Sequence, residues 1–114
     1  MHELGIVFHI IDTLEAVAKD NELQEIHSVT IEVGEVSMVV PDYLTDCWHW
    51  AAQKKELLAQ CEMKLAVLPA VTLCQSCGKE YPTVAYGRIC PCCGSEKTYL
   101  LRGNELNIKE IEAV

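Results

Sequence analysis

The chain has 114 residues and a mass of 12.7 kDa, which allows one compact domain with a small metal-stabilised module and excludes a large multidomain enzyme. Hydrophobic residues make up 50% of the sequence, which is enough for a packed core. Seventeen acidic residues against nine basic ones give a net charge of −8, and this charge repels nucleic acid and anionic lipid. We therefore expect neither a nucleic-acid partner nor a membrane partner.

The apolar stretches and the cysteines indicate the compartment. The longest apolar stretches fall short of the roughly 18 residues that a membrane-spanning helix needs. Met1-His-Glu-Leu-Gly5 brings no Lys or Arg before the first apolar run, so no secretory signal is expected. Seven cysteines, several of them in close pairs, favour metal thiolates over disulfides in a reducing compartment. We expect a cytoplasmic protein.

The first half of the chain predicts a helix, a strand and a second helix. Residues 4–20 carry apolar side chains at helical spacing, namely Leu4, Val7, Ile11, Leu14 and Ala18. Residues 26–35 alternate between apolar and polar side chains, as a half-buried strand does. A second helix is predicted from Pro41, which favours the first helical turn, to about Gln60.

The second half predicts two more strands around a cysteine-rich module. Residues 62–68 and 105–112 read as strands, whereas residues 74–99 hold five of the seven cysteines and almost no aliphatic core material. We therefore expect an α+β fold, in which two helices pack on a three-stranded mixed sheet and a four-cysteine zinc-ribbon domain is inserted before the last strand. The predicted boundaries are 1–69 with 101–114 for the base domain and 70–100 for the ribbon.

The module contains two Cys-x2-Cys-Gly knuckles. One is Cys74-Gln-Ser-Cys77-Gly78, and the other is Cys90-Pro-Cys-Cys93-Gly94. Each knuckle can direct two thiolates at one ion, and the glycine tolerates the backbone angles of the turn. The spacing predicts a closed four-thiolate site formed by Cys74, Cys77, Cys90 and Cys93.

The same spacing leaves the metal open. Structural zinc is favoured, and a rubredoxin-like iron is the alternative, because four thiolates suit both ions. The module is small and has only three tyrosines as aromatic residues, which is little shelter for a redox-active iron. Cys92 breaks the two-residue spacing of both knuckles, so we expect a free thiol there.

The N-terminus offers a second donor set. A bulky second residue blocks removal of the initiator methionine, so the free amine is that of Met1. This amine, the amide nitrogen of His2 and its imidazole form an all-nitrogen chelate that suits Ni(II) or Cu(II) better than zinc. Of the other histidines, we expect His9 to pack beside the sheet and His49 to lie between two structural tryptophans.

Several motifs in a fixed order resemble the hydrogenase maturation nickel chaperones of the HypA/HybF family. They are an initial Met-His-Glu-Leu, the segment Val33-Gly-Glu-Val-Ser37, the two cysteine knuckles, and Gly103-Asn-Glu-Leu106 before a hydrophobic strand. Together they extend over nearly the whole chain. Helix two departs from the family pattern, because Thr45-Asp-Cys-Trp-His-Trp50 replaces its Phe-rich segment.

This resemblance implies a nickel metallochaperone that helps insert Ni(II) into the large subunit of [NiFe]-hydrogenase. By the same resemblance, Met1, His2 and Glu3 would hold the nickel, and Cys74, Cys77, Cys90 and Cys93 would hold a structural zinc. The implied partners are a HypB-type nickel-handling GTPase, the hydrogenase large subunit and, in some bacteria, urease maturation proteins. We expect a monomer or a weak homodimer.

Catalysis is not expected. The segment Gly78-Lys79-Glu80 lacks the leading glycine and the hydroxyl residue of a phosphate-binding loop, and no serine lies in a nucleophile-elbow motif. Two other functions stay open from the residues alone. One is a zinc-ribbon adaptor for protein interactions, and the other is an iron electron carrier. Neither alternative explains the N-terminal Met-His-Glu.

Overall fold

A computed structural model describes residues 3–113. Its helices and strands run in the order α1 (Glu3–Asp20), β1 (Ile26–Gly34), α2 (Pro41–Ala52), β2 (Glu62–Leu68), β3 (Val71–Cys74), β4 (Glu80–Pro82), α3 (Thr83–Tyr86), β5 (Thr98–Arg102) and β6 (Leu106–Ala113). The strands form two three-stranded sheets, ordered β2-β1-β6 and β4-β3-β5. This is the α+β fold that the sequence predicts, with a ribbon inserted before the last strand.

The described residues divide into two compact units. The first comprises residues 3–32, Val39–Ala66 and 107–113, and the second comprises Val33–Met38 and Val67–Leu106. The second unit therefore contains the cysteine module and extends beyond residues 70–100 on both sides. The separate roles expected for the base domain and for the ribbon domain stay predictions.

The helices and β1 supply the core of the first unit. The buried residues of α1 follow the predicted stripe and are Ile6, Val7, Ile10, Ile11, Leu14 and Ala18. On α2 the buried face is Leu44, Cys47, Trp48 and Ala51 with Ala52, at helical spacing. Trp48 is fully buried, and its indole Nε1–H donates a hydrogen bond to the carbonyl of Cys61 at 3.1 Å. This bond joins α2 to the residue that precedes β2.

The second helix ends earlier than the sequence predicts. It stops at Ala52, and the prediction that it continues to about Gln60 is wrong. Lys55 takes an extended conformation and is followed by a single 3-10 turn, Glu56–Leu58. The turn buries Leu58 completely and brings Cys61 back to Trp48, so tertiary packing outweighs helix propensity here. Within residues 3–113, no helix combines the length and apolar character needed to cross a membrane.

Two sequence motifs meet within the second unit. The N–H of Gly34 donates to the carbonyl of Glu105, and the N–H of Val36 donates to the carbonyl of Gly103, each at 2.8 Å. The two segments approach so closely that a Cβ on Gly34 would overlap the Gly103 carbonyl oxygen. The two motifs of the family resemblance, residues 33–37 and 103–106, are thus joined by backbone hydrogen bonds.

Two carboxylates complete this junction. Glu35 Oε1 accepts a hydrogen bond from the N–H of Ala70 at 2.9 Å, and Glu105 Oε1 accepts one from the N–H of Gly103 at 2.6 Å. Gly103 has φ of 115°, a conformation that side chains other than hydrogen rarely allow. Glycine is therefore required at position 103 by its backbone angle, and at position 34 by lack of space.

Replacing Gly34 by alanine should destabilise the zinc-loaded protein by about 3 kcal/mol or more, because a methyl group cannot fit against the Gly103 carbonyl without backbone movement. Urea unfolding followed by circular dichroism measures the change. Gly5→Ala is the matched control, since Gly5 is exposed on α1 and alanine there should leave stability unchanged or slightly raised. Equal stability of the two variants would contradict the close approach at Gly34.

Candidate metal centre

The four knuckle cysteines form one cluster in the second unit. The sulfurs of Cys74, Cys77, Cys90 and Cys93 all lie within 4.8 Å of one another. Cys74 Sγ is 3.5 Å from Cys93 Sγ, and Cys77 Sγ is 3.6 Å from Cys90 Sγ. Four sulfurs at about 2.3 Å from a tetrahedral zinc would lie roughly 3.8 Å apart. The cluster therefore has the spacing and donor chemistry of a structural zinc site.

Both knuckles have the same backbone hydrogen bonds. In the first, the N–H of Gly78 donates to the carbonyl of Cys74 at 2.9 Å; in the second, the N–H of Gly94 donates to the carbonyl of Cys90 at 2.9 Å. The two glycines have φ of 75° and 73°, as the turn requires. The N–H of Cys74 and that of Cys90 donate in turn to the carbonyls five residues later, at 3.0 Å each. The two turns are thus built alike.

Three short strands hold the knuckles together. Cys74 is the last residue of β3, which pairs antiparallel with β4 on one side and with β5 on the other. The N–H of Gln75 donates to the carbonyl of Lys97 at 2.9 Å, which ties the first knuckle to the chain that follows the second. Ser76 Oγ lies 2.8 Å from Ser95 Oγ, which adds a side-chain link between the knuckles.

The electrostatics differ between the first and second cysteine of each knuckle. The backbone N–H of Cys77 lowers the pKa of Cys74 to about 6, and the backbone N–H of Cys93 lowers the pKa of Cys90. At Cys93 the N–H of Ser95 acts to lower the pKa, but the neighbouring sulfurs, Cys74 first, together with partial desolvation outweigh it and raise the pKa to about 12. Four thiols this close cannot all ionise without a cation, and a divalent metal supplies that charge.

Cys92 lies outside the four-sulfur cluster. It is exposed, and its Sγ accepts a hydrogen bond from Lys79 Nζ at 3.3 Å. Its backbone N–H instead serves the cluster, donating to Cys90 Sγ at 3.4 Å. The structure therefore groups the same four cysteines that the spacing predicts and leaves the fifth at the edge.

The predicted nickel residues are described only in part. Met1 and His2 lie outside the described residues. Glu3 begins α1 and is buried. The structure therefore locates one of the three predicted residues, and the nickel site stays a prediction.

The burial of the remaining histidines and of the two tryptophans differs in part from what the sequence predicts. His9, expected to pack beside the sheet, is exposed, and His49 is exposed too, whereas the exposure of His27 at the start of β1 agrees with its position. Trp48 has the expected structural role, whereas Trp50 is 53% exposed. Helical spacing does distinguish the two tryptophans, since Trp48 belongs to the stripe of Leu44 and Ala51 and Trp50 does not.

Sequence reasoning missed two kinds of residue in the second unit. Glu35 and Glu105 accept backbone hydrogen bonds, a role that the sequence signals only through the glycine beside the first and the glycine two residues before the second. Tyr81 is buried with Cys74 and Cys90, and its hydroxyl donates to the carbonyl of Gly87 at 2.9 Å. It is the aromatic residue of the small core beneath the cluster.

Comparison with known proteins identifies the family. A family model described as "Hydrogenase/urease nickel incorporation, metallochaperone, hypA" matches residues 1–113. The chain belongs to the HypA family.

Relatives and solved structures agree with this assignment. The chain is 34% identical to hydrogenase maturation factor HypA of Geobacter metallireducens over 112 residues, which is 98% of each chain. It is also 34% identical to the HypA of Chlorobium phaeobacteroides, over 97% of each chain. The solution structure of the Ni metallochaperone HypA from Helicobacter pylori shares the fold with a TM-score of 0.75 at 21% identity, covering 100% of this chain and 98% of that one.

Adjacent cysteines provide a direct check of the ligand assignment. Cys93→Ser should lower the zinc content of the purified protein well below one ion per chain, because it replaces a sulfur of the cluster by a weaker ligand. Cys92→Ser should keep one zinc per chain, since Cys92 contacts Lys79 instead. Elemental analysis of both variants decides the assignment, and loss of zinc from the Cys92 variant alone would reverse it.

Proposed function

We propose that this protein is a nickel metallochaperone that delivers Ni(II) to the large subunit of [NiFe]-hydrogenase during maturation. The observation that carries the proposal is the match of residues 1–113 to a family described by hydrogenase and urease nickel incorporation. Relatives named hydrogenase maturation factor HypA support hydrogenase as the receiving enzyme.

The four-sulfur cluster takes zinc in this proposal. Cys74, Cys77, Cys90 and Cys93 hold the ion, which stabilises the ribbon because two of these cysteines are themselves buried, in a small cluster with Tyr81. Zinc is favoured over iron because the module is small and its three tyrosines offer little shelter for a redox-active iron. The role of this ion is structural.

The N-terminus binds the cargo. The Met1 amine, the His2 imidazole, and the backbone of His2 and Glu3 form a set of mainly nitrogen donors from one short peptide, which suits Ni(II). A cargo site must release its ion, and a site at a chain terminus does so more readily than four clustered thiolates. The two metals therefore use chemically different sites.

Partner proteins supply nucleotide hydrolysis and receive the nickel. The sequence has no phosphate-binding loop, so a HypB-type GTPase would provide nucleotide hydrolysis, and the protein itself would not be an enzyme. The receiver is the hydrogenase large subunit, and urease maturation proteins are the second receiver in organisms that have them. These steps take place in the cytoplasm.

The nickel site is tested by calorimetric titration of Ni(II) into untagged, zinc-loaded protein. Wild type should bind one nickel per chain, and His2→Ala should lose this binding because the imidazole and its chelate ring are removed. His9→Ala is the matched control, since it removes an exposed imidazole from the first helix and should bind as wild type does.

Each outcome has a definite meaning. Loss of nickel binding only in His2→Ala supports the N-terminal site, and zinc content should stay at one ion per chain in all three proteins. Nickel binding by His2→Ala at wild-type affinity would refute the site and leave a zinc-ribbon adaptor as the better function.

Nickel affinity should rise with pH between about 6 and 8. An imidazole and an α-amine have ordinary pKa values of about 6.5 and about 7.8, and both must lose a proton to bind the metal. Protons compete with nickel below these values, so acid releases the ion and alkali retains it. Titrations at several pH values measure the trend, and an affinity independent of pH would be inconsistent with nitrogen ligands of this kind.

A further inference from the structure

A small cavity lies between the two helices of the first unit. It has a volume of about 250 Å³ and is lined by Leu4 of α1 and by Tyr43, Asp46, Cys47 and Trp50 of α2. The α2 residues follow one another at intervals of three, one and three positions, which places them on one helix face. The cavity is therefore a property of the regular helices and of their packing.

The walls of the cavity are aromatic and open to solvent. Tyr43 is 58% exposed and Trp50 is 53% exposed, whereas Trp48 on the same helix is fully buried. Large aromatic side chains that stay exposed are typical of surfaces that bind another protein. The floor is apolar, since Cys47 is buried and Leu4 is half-buried.

The chemistry of the cavity suits a cation. The surface of the cavity is almost entirely apolar, so the two aromatic rings attract positive charge at the cavity itself, and the exposed Asp46 adds a carboxylate at its edge. Lys54 already places its ammonium 3.4 Å from the centre of the Trp50 ring, which shows that this ring accepts a cation. Lys54 is not one of the lining residues, and Asp46 forms no ion pair with another residue between positions 3 and 113.

The negative charge of the first unit also favours binding of a cation. Residues 3–32, 39–66 and 107–113 carry 13 acidic and 5 basic residues, so the potential around this unit is negative. Asp42 precedes Asp46 by one helical turn and is also exposed. A basic side chain approaching the cavity gains from this potential, whereas an acidic one is repelled.

We propose that this cavity binds an arginine side chain presented by a partner protein. The guanidinium stacks on Tyr43 and Trp50 and pairs with Asp46, while its aliphatic stem contacts Leu4 and Cys47. Arginine is preferred to lysine because its planar group stacks on aromatic rings and forms paired hydrogen bonds with a carboxylate. The proposal goes beyond metal handling and does not depend on nickel binding.

The test uses ¹⁵N-labelled, zinc-loaded, nickel-free protein and a minimal probe, Nα-acetyl-arginine N-methylamide. The indole N–H signals of the two tryptophans are the readout, because Trp50 lines the cavity and Trp48 is buried and bonded to Cys61. Millimolar probe should shift the Trp50 signal saturably and leave the Trp48 signal in place. The citrulline analogue, which has nearly the same shape without the charge, should produce no saturable shift.

Three variants make the test specific to this cavity. Asp46→Asn should weaken arginine binding at least about fivefold by removing the ion pair, and Asp12→Asn should not, because Asp12 is an exposed carboxylate elsewhere in the first unit. Lys54→Gln should strengthen binding, since a competing positive charge leaves the Trp50 ring. Equal shifts with arginine and citrulline, or unchanged binding by Asp46→Asn, would overturn the proposal without affecting the nickel assignment.

Discussion

The second unit depends on the coordination of one metal ion by four cysteine thiolates. Cys74, Cys90 and Tyr81 form a buried cluster there, so two of the side chains that would bind the metal are also core residues, and the buried Ala70 and Thr72 add little further apolar surface. A unit this small cannot balance the loss of chain entropy by burial of apolar surface alone. The strands β3, β4 and β5 and both knuckle turns therefore rely on the metal site for their stability.

Much of this architecture could be predicted because it follows from local periodicity. Apolar spacing predicts α1, and alternation predicts β1 and β2 to within a residue. The paired knuckles predict the sulfur cluster, because a Cys-x2-Cys-Gly turn is specified by adjacent residues. The end of α2 could not be predicted in this way, since it is determined by the bond from Trp48 to Cys61, nine residues after the helix ends.

The junction between the two glycine motifs is also a long-range effect. Gly34 and Gly103 are far apart in sequence, and their approach in space explains why Gly34 does not tolerate a side chain, whereas Gly103 is restricted by its φ of 115° and by the adjacent Ala70. The glutamates next to this contact accept hydrogen bonds from main-chain donors that the sheets leave unpaired. For these residues, the motifs of the family resemblance reflect a requirement of backbone packing.

The burial of Cys61 also affects the reactivity of its thiol. Burial, followed by the nearby Glu62, raises the pKa of this thiol to about 11, so at neutral pH only about one molecule in ten thousand carries a thiolate there. Thiols in that state are poor ligands and slow nucleophiles. The first unit thus contains this cysteine without a reactive thiolate, and the same sulfur should be spared by electrophiles and peroxide that reach the exposed Cys92.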